Sequence, residues 1–543
     1  MKRFMMGVLL VALCGIQPVH TAQQPSEDDW TLPWWVQRTA NSGLYGGFNL
    51  PAGETTLKLA TVTWRQLNPS EGVYNWSAID ALLTGKPFIL RLYNTDVIHC
   101  PTWLKTKYPN LTAQRFRWPD APYPDTLGNT SAGDFFPPWH AGFEAEFHKF
   151  LLAFKAKNYA SNAKMVGWYV PGGWKWNEWS LKWVPEMTKQ GITPTTFLAW
   201  FNRLMTDYVS ATNGNAGKLI YTGVPGEEWV EWTGDSTTYN AWVTAINTGV
   251  GTNAMSATAL GLGAGARDGS TEWFNYRTQA PDWGTALTAN YMVTNDAHPM
   301  LTSSRFLGTE NECFGTCGQP AGTADYYHVK MATLKALQLR MNWVFLGNYN
   351  LAPALFQYML KTLGKTVADS PDAWCALREA NDTERGKPGP VVRNWERWLI
   401  QREVSPNGLT VRTAPVTSPA SQIGTSYEAR RTNHAGASNF IYFGVDDAFI
   451  KGGSTDVDIY VTYLDNNHAK WRLSYDSDST TIYKPTAWVT NIADGKWKTV
   501  KFAIGDAGFN NRQSGGMDFR LYNGGVEDLT VRFVRVVKVN PPL

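Results

Sequence analysis

Between about Trp30 and Arg402, apolar runs of strand length take turns with longer segments whose apolar residues recur at helical spacing. "LKLATVTW", "KPFILRLY", "KMVGWYV", "GKLIYTGV", "ALGLGAG", "SSRFLGTE" and "MNWVFLGNY" read as strands. "PPWHAGFEAEFHKFLLAFKAK", "TTFLAWFNRLMTDYVSA", "ADYYHVKMATLKALQLR" and "LAPALFQYMLKTL" read as helices. Repeated alternation of strand and helix implies a parallel sheet covered by helices, and the length of the region suits a (β/α)8 barrel. A doubly wound open sheet is the competing architecture, but no glycine-rich phosphate loop follows the first strand.

The texture changes after Glu403. "VSPNGLTVRTAPVTSPASQIGT" is a Pro/Ser/Thr/Gly-rich junction, and beyond it "TDVDIYVTYLD", "AKWRLSYDS", "KWKTVKFAI", "MDFRLYNGG" and "LTVRFVRVVKV" alternate as short strands between turns. This predicts an antiparallel β-sandwich over residues 411–543, separated near residue 410 from a barrel over 23–410 and able to fold by itself. "AWCALREA" and "VRNWERWLIQRE" are predicted to be amphipathic helices that close the barrel.

A barrel of this type presents its chemistry at the C-terminal ends of its strands. The first strand ends at Trp64 and Arg65, and the next at Arg91 and Tyr93. The stretch "GWYVPGGWKWNEWS" brings Trp174, Trp176, Asn177, Glu178 and Trp179 to a later strand end. "GARDGSTEWFNY" adds Arg267, Trp273 and Tyr276, "RFLGTENE" brings Glu310, Asn311 and Glu312, and "MNWVFLGN" ends at Asn348. Two carboxylates from different strands among aromatic rings fit retaining glycoside hydrolysis, in which one group protonates the leaving oxygen and the other attacks the anomeric carbon. Indoles pack on the apolar C–H faces of sugars, while Asn, Arg and Tyr meet the hydroxyls. Trp103, Trp139 and Trp343 are assigned to the core or its shell. His99, His140 and His328 stand singly and are not offered as metal ligands, and no cofactor is expected for catalysis.

The same segments resemble clan A glycoside hydrolases, β-galactosidase-like family 42 relatives above all. "TVTWRQLNPSEGVYNWSAIDALL" is similar to their first βα unit, "CPTWLKTKYPN" to the stretch after their second strand, "WNEW" to the Asn-Glu pair on the fourth and "RFLGTE" to the glutamate on the seventh. The resemblance implies Glu178 as acid/base, Glu310 as nucleophile and Asn177 as the ligand of the sugar hydroxyl next to the reacting carbon. Glu312 is a second nucleophile candidate, placed behind Glu310 because Glu310 directly ends the apolar run. "GGWKWNEW" is longer and more aromatic than the plain Gly-Asn-Glu run usual in that family.

Lys2 and Arg3, the apolar "FMMGVLLVALCGI" and the small-residue end near Ala22 read as a signal peptide over residues 1–22, so the protein is expected to be secreted or periplasmic. A lipoprotein signal ending at Cys14 is the alternative, although Leu13 occupies a position where Gly or Ala is wanted. The formal charge is only +3 and falls further without Lys2 and Arg3, so nucleic acid is not the expected partner, and no window is long and apolar enough for a membrane span. Cys313 and Cys317 could staple a local loop; their spacing is no zinc signature. The expected partner is a carbohydrate polymer or oligosaccharide, with galactans, including anionic ones, ahead because of the strand-end arginines. Oligomeric state and linkage are not legible. In the sandwich, which resembles carbohydrate-binding modules, Trp471, Tyr475, Trp488 and Trp497 are candidate glycan-binding aromatics or residues of the inward faces, with the inward reading preferred for each, and "DNNHAKWRLSYDSDS" is a candidate for structural Ca²⁺ or for plain turns. The alternative function is a non-catalytic secreted glycan-binding protein on a degenerate barrel, and a structural surface protein without a cleft is a third class.

Overall fold

The computed structural model describes residues 28–45, 50–51, 56–114, 116–117, 134–170, 184–221, 233–234, 237, 308–311, 326–338, 340–346, 352–377, 394–413 and 429–541. In the first part of the chain the parallel strands are β1 (Gly43–Tyr45), β2 (Lys58–Thr63), β3 (Phe88–Tyr93), β6 (Met165–Val170), β7 (Leu219–Tyr221), β8 (Gly308–Asn311) and β9 (Trp343–Leu346). Two short strands, β4 (Phe116–Arg117) and β5 (Asp134–Phe135), pair with each other, and β5 also bridges Asp96 in the loop after β3.

The order of the parallel strands carries the architecture. β2, β3, β6 and β7 lie side by side in chain order, and β1 lies next to β9, which in turn lies next to β8. The lead into β2 bonds to β1, with the Thr56 and Leu57 amides donating to the Leu44 carbonyl at 3.1 and 3.3 Å. The first strand is therefore the neighbour of both the second and the last described parallel strand. A doubly wound sheet reverses its order at a switch point instead.

The two faces of these strands pack differently. Ala60, Val62, Phe88, Leu90, Leu92, Trp168, Val170 and Leu219 join the large core shared with the helices. Ile89, Val166, Tyr169, Ile220 and Trp343 form a separate interior cluster with Leu57. Tyr169 of β6 and Trp343 of β9 bring their rings to 6.1 Å, so the two sheets turn toward each other.

Local signals explain the covering helices. The helix Ala141–Lys157 is capped by His140, whose Nδ1 accepts from the Gly142 and Phe143 amides, and Asn158 ends it in the left-handed conformation. Phe143, Phe147, Phe150, Leu151 and Phe154 make its buried stripe. Thr193 and Thr196 form a capping box for the helix Pro194–Ala211, which has Pro at its first position and buries Phe197, Trp200, Phe201, Leu204, Met205 and Tyr208. The helices Tyr326–Gln338 and Pro353–Thr362 complete the described set of long helices. Among the described residues, no helix is long and apolar enough to cross a membrane.

The rest of the chain is a sandwich of two antiparallel sheets. One contains β10 (Asp372–Ala376), β11 (Trp395–Arg397), β13 (Val411–Arg412), β14 (Arg430–Arg431), β16 (Thr455–Asp465), β20 (Lys496–Ala507) and β22 (Thr530–Lys538). The other contains β12 (Leu399–Arg402), β15 (Phe440–Val445), β17 (Lys470–Tyr475), β18 (Lys484–Pro485), β19 (Val489–Thr490) and β21 (Phe519–Tyr522).

Two expectations are corrected here. "AWCA" and "WERWLIQR" are not helices but β10, β11 and β12, and the sandwich begins at Asp372 rather than near residue 411. The physical reason is double burial. Trp374 and Ala376 of β10 belong to the core under the parallel layer, whereas Ala373 and Cys375 belong to the sandwich core, so the strand lacks the polar alternation that would have revealed it.

Polar groups reinforce this joint. Arg535 on β22 donates from Nε to Asp372 Oδ2 at 2.7 Å, and from its two terminal nitrogens to the Asp29 and Thr31 carbonyls at 2.9 and 3.0 Å. Lys330 reaches Asp28 at 2.7 Å, and the Trp30 indole packs against Tyr358 and Phe533. The two regions therefore share one buried seam, and a sandwich independent of the barrel is not what the chain builds.

Candidate functional site

Trp343 of the interior cluster lies between two strands that each carry a glycine in register with it. Trp343 is in register with Gly43 of β1 and with Gly308 of β8. A Cβ added at Gly308 would come within 1.8 Å of the Trp343 ring, so this position admits only glycine unless the indole moves. Gly308→Ala is expected to cost about 1–3 kcal/mol through overpacking and to lower the urea midpoint accordingly. An unchanged midpoint would show that Trp343 is free to shift.

Glu310 is the third residue of β8, in register with Phe345 of β9, so it stands at the C-terminal end of its strand as expected. Asn311 ends that strand. Trp174, Trp176, Asn177, Glu178, Trp179, Arg267, Trp273, Tyr276, Glu312 and Asn348 lie outside the described residues, as do Cys313 and Cys317. β6 ends at Val170, eight positions before Glu178.

Arg91 and Tyr93 are brought together at the end of β3. Thr61, Arg91 and Tyr169 form one register row across three strands, with Arg91 donating from Nε and a terminal nitrogen to Thr61 Oγ1 at 3.1 and 3.0 Å. The guanidinium lies 5.2 Å from the Tyr93 ring centroid, a cation held over an aromatic face. The Tyr93 ring in turn lies 4.9 Å from His99, whose Nδ1 is 3.1 Å from Asp96 Oδ2.

Arg91, Tyr93, His99 and Asp96 thus run as a connected polar chain, and the last three are buried. Asp96 fixes the histidine ring through Nδ1, which leaves Nε2 to meet other groups. The sequence reading missed Asp96 and His99 by treating the histidine singly. The signal was present in "TDVIHC", an Asp-x-x-His spacing directly after a strand. Next to it, burial pushes the Cys100 thiol well above its ordinary pKa, with the Asp96 charge acting in the same direction, so it is an inert neighbour.

Trp64 and Arg65 have other employment. Thr63 ends β2 and caps the turn Trp64–Leu67 in a capping box with Gln66, which swings Trp64 away from the strand end. Its fully buried indole meets Phe143 and Phe147 edge-on at 5.2 and 5.0 Å, so it belongs to the wall and cannot serve as a sugar platform. Arg65 donates from Nε to the Cys100 carbonyl and from a terminal nitrogen to the Val97 carbonyl, both at 2.9 Å. It braces the loop that presents Asp96 and His99.

In the sandwich, Trp471 and Tyr475 are buried in the core as assigned, but Trp488 is 43% exposed and so does not belong to an inward face. Asp465 accepts from the Ile492 and Ala493 amides and from Lys498, and Asp476 from Arg512 and the Asn510 amide. Protein donors thus engage Asp465 and Asp476, two of the three carboxylates in the stretch considered for Ca²⁺. Among the described residues no three His, Cys, Asp or Glu side chains converge as a metal site.

No family model and no curated protein matches the chain. Among solved structures, endo-glycoceramidase II from Rhodococcus sp., in a cellobiose-like imidazole complex, is similar over 93% of this chain and 99% of that one, at 10% identity and a TM-score of 0.28. The carbohydrate binding module CBM6cm-2 of Cellvibrio mixtus lichenase 5A, in complex with cellotriose, is similar over 26% of this chain and 97% of its own, at 13% identity and a TM-score of 0.15. The CBM22-1 xylan-binding domain of Paenibacillus barcinonensis Xyn10C covers 26% of this chain and 88% of its own, at 12% identity and a TM-score of 0.17. At such scores the functional argument rests on the residues of this chain.

Proposed function

We propose that the protein is a secreted retaining glycoside hydrolase on a (β/α)8 barrel of the β-galactosidase-like kind, with galactan-type glycans as the favoured substrates. The observation that carries this reading is the place of Glu310, at the C-terminal end of a parallel strand whose earlier residue, Gly308, stands against Trp343 of the interior cluster. Strand alternation puts positions 308 and 310 on one face. Strand order supports the barrel, since the first strand neighbours the last described parallel one.

In this mechanism the Glu310 carboxylate attacks the anomeric carbon as Glu178 protonates the departing oxygen, and the bond to the aglycone breaks as the glycosyl ester forms. Glu178 then removes a proton from water, which displaces Glu310 and restores the original configuration. Asn177 and the indoles around it hold the sugar.

The test is a glycan panel followed by proton NMR of the earliest product. A β-linked substrate should release the β-anomer first. Release of the α-anomer would overturn the double displacement, and binding without turnover on every substrate would leave a glycan-binding protein.

A further inference from the structure

The outer face of the sheet built from β12, β15, β21, β17 and β18 carries a second arrangement, separate from the barrel chemistry. Ile441, Phe443, Phe519, Leu521, Trp471 and Leu473 turn into the sandwich core. By alternation Phe440, Tyr442, Arg472, Arg520 and Tyr522 take the opposite face. They fall in two register rows, Tyr442 beside Arg520 beside Ser474, and Phe440 beside Tyr522 beside Arg472. Neither row contains an acid.

The two arginines are held by rings rather than by carboxylates. Arg520 lies 4.0 Å from the Phe440 ring centroid and 4.0 Å from that of Tyr483, and donates to Tyr442 Oη at 3.0 Å. Arg472 lies 4.5 Å from the ring centroid of the exposed Trp488. Nε of each is buried without an acceptor, and neither arginine has an ion-pair partner among the described residues. By contrast Arg402, Arg430, Arg431, Arg512 and Arg535 of the same sandwich each face a carboxylate. The acids at the ends of the neighbouring strands, Asp476 and Asp518, are buried and engaged, Asp476 by Arg512 and Asp518 by the Val445 and Asn511 amides.

A guanidinium packed against a ring with its Nε buried interacts outward through its terminal nitrogens, which donate to planar or tetrahedral oxyanions. Because the rings already fix its orientation, binding costs little further side-chain entropy. The two guanidiniums come from adjacent strands one register pair apart, a diagonal relation of roughly 7–8 Å between backbones. That arrangement fits oxyanions repeated along a chain. Nucleic acid fits less well, because the whole protein has a formal charge of only +3.

We propose that this face binds an anionic polysaccharide, with Arg472 and Arg520 each meeting a carboxylate or sulfate of the glycan and Trp488 packing beside a sugar ring. The proposal concerns binding alone and stands whether or not Glu178 and Glu310 perform the chemistry assigned to them.

The test uses the full chain in affinity electrophoresis through gels containing dextran, carboxymethyl-dextran or dextran sulfate, with oligothymidylate as a polyanion of another class. Retardation by one or both charged dextrans and none by dextran is expected, and the pattern identifies carboxylate or sulfate as the preferred group. Arg472→Ala and Arg520→Ala should each weaken binding by about tenfold or more, and Arg→Lys at either position should weaken it less. Arg472 has no hydrogen bond to lose among the described residues, so its variant decides the matter if Arg520→Ala does not fold. Equal retardation by neutral dextran, no retardation by either charged dextran, or charged-dextran binding that survives Arg472→Ala would overturn the proposal. Tighter binding of oligothymidylate that is lost with the same substitution would assign the face to nucleic acid and overturn it equally.

Discussion

Glu310→Ala is expected to release no sugar from natural or activated glycosides, a loss of about 10⁴-fold or more, because every turnover passes through its ester. Glu178→Ala should behave differently. Loss of the acid removes assistance to poor leaving groups, so natural linkages should be nearly inert while an aryl glycoside with a good leaving group keeps part of its rate. Added azide should raise that residual rate and give the β-glycosyl azide from a β-linked substrate, since azide attacks the ester without needing a base. Turnover of both substrate types with both variants is the measurement. If Glu312→Ala is dead on both and Glu310→Ala is active, the nucleophile stands two residues later; if all three variants work normally, the carboxylate pair is not the catalytic machinery.

Asp372→Ala is expected to destabilise the whole chain by about 3–5 kcal/mol, because it leaves the Arg535 charge buried without its partner. Both side chains are sealed from solvent, with exposures of 1% and 0%, so water cannot replace the carboxylate. Asp372→Asn keeps an acceptor and should lose less. A chain ended at residue 410 would deprive β10 of β22 and β12 of β15, and would uncover Trp374 and Trp395. It should therefore be recovered as aggregate rather than as a folded, active barrel. An unfolding free energy for Asp372→Ala, taken from urea titration, within about 1 kcal/mol of the parent value would refute the energetic importance given to this seam.

Much of the sandwich was legible because its long strands are runs of β-branched and aromatic residues bounded by turns. "TDVDIYVTYLD" corresponds to β16 residue for residue, and "LTVRFVRVVKV" contains all of β22. β10 was not legible, since its two faces belong to two cores and its string of apolar residues has no polar phase. β1 was missed for the opposite reason: "GLYGG" reads as a turn, yet Gly43 is in register with the Trp343 indole, a partner that only the fold reveals. Of the candidate site residues, strand-end logic placed Arg91 and Tyr93 in β3 and the backbone of Glu310 in β8, and the structure has them there. It failed at Trp64, because Thr63 caps a turn at that point and redirects the indole into the helix layer. A one-residue shift from strand to helix reverses which layer a side chain joins, and composition contains no trace of it.

The double burial of β10 has a consequence for how the protein comes apart. A strand with one face in each core cannot leave either without exposing both, so a fluctuation that opens the sandwich also strips Trp374 from the helix layer. Independent domains joined by a linker open at separate free energies, and the weaker one sets the sensitivity of the chain to proteases and heat. Here the two cores gain and lose their order together, so neither region can act as the early-melting part of the other.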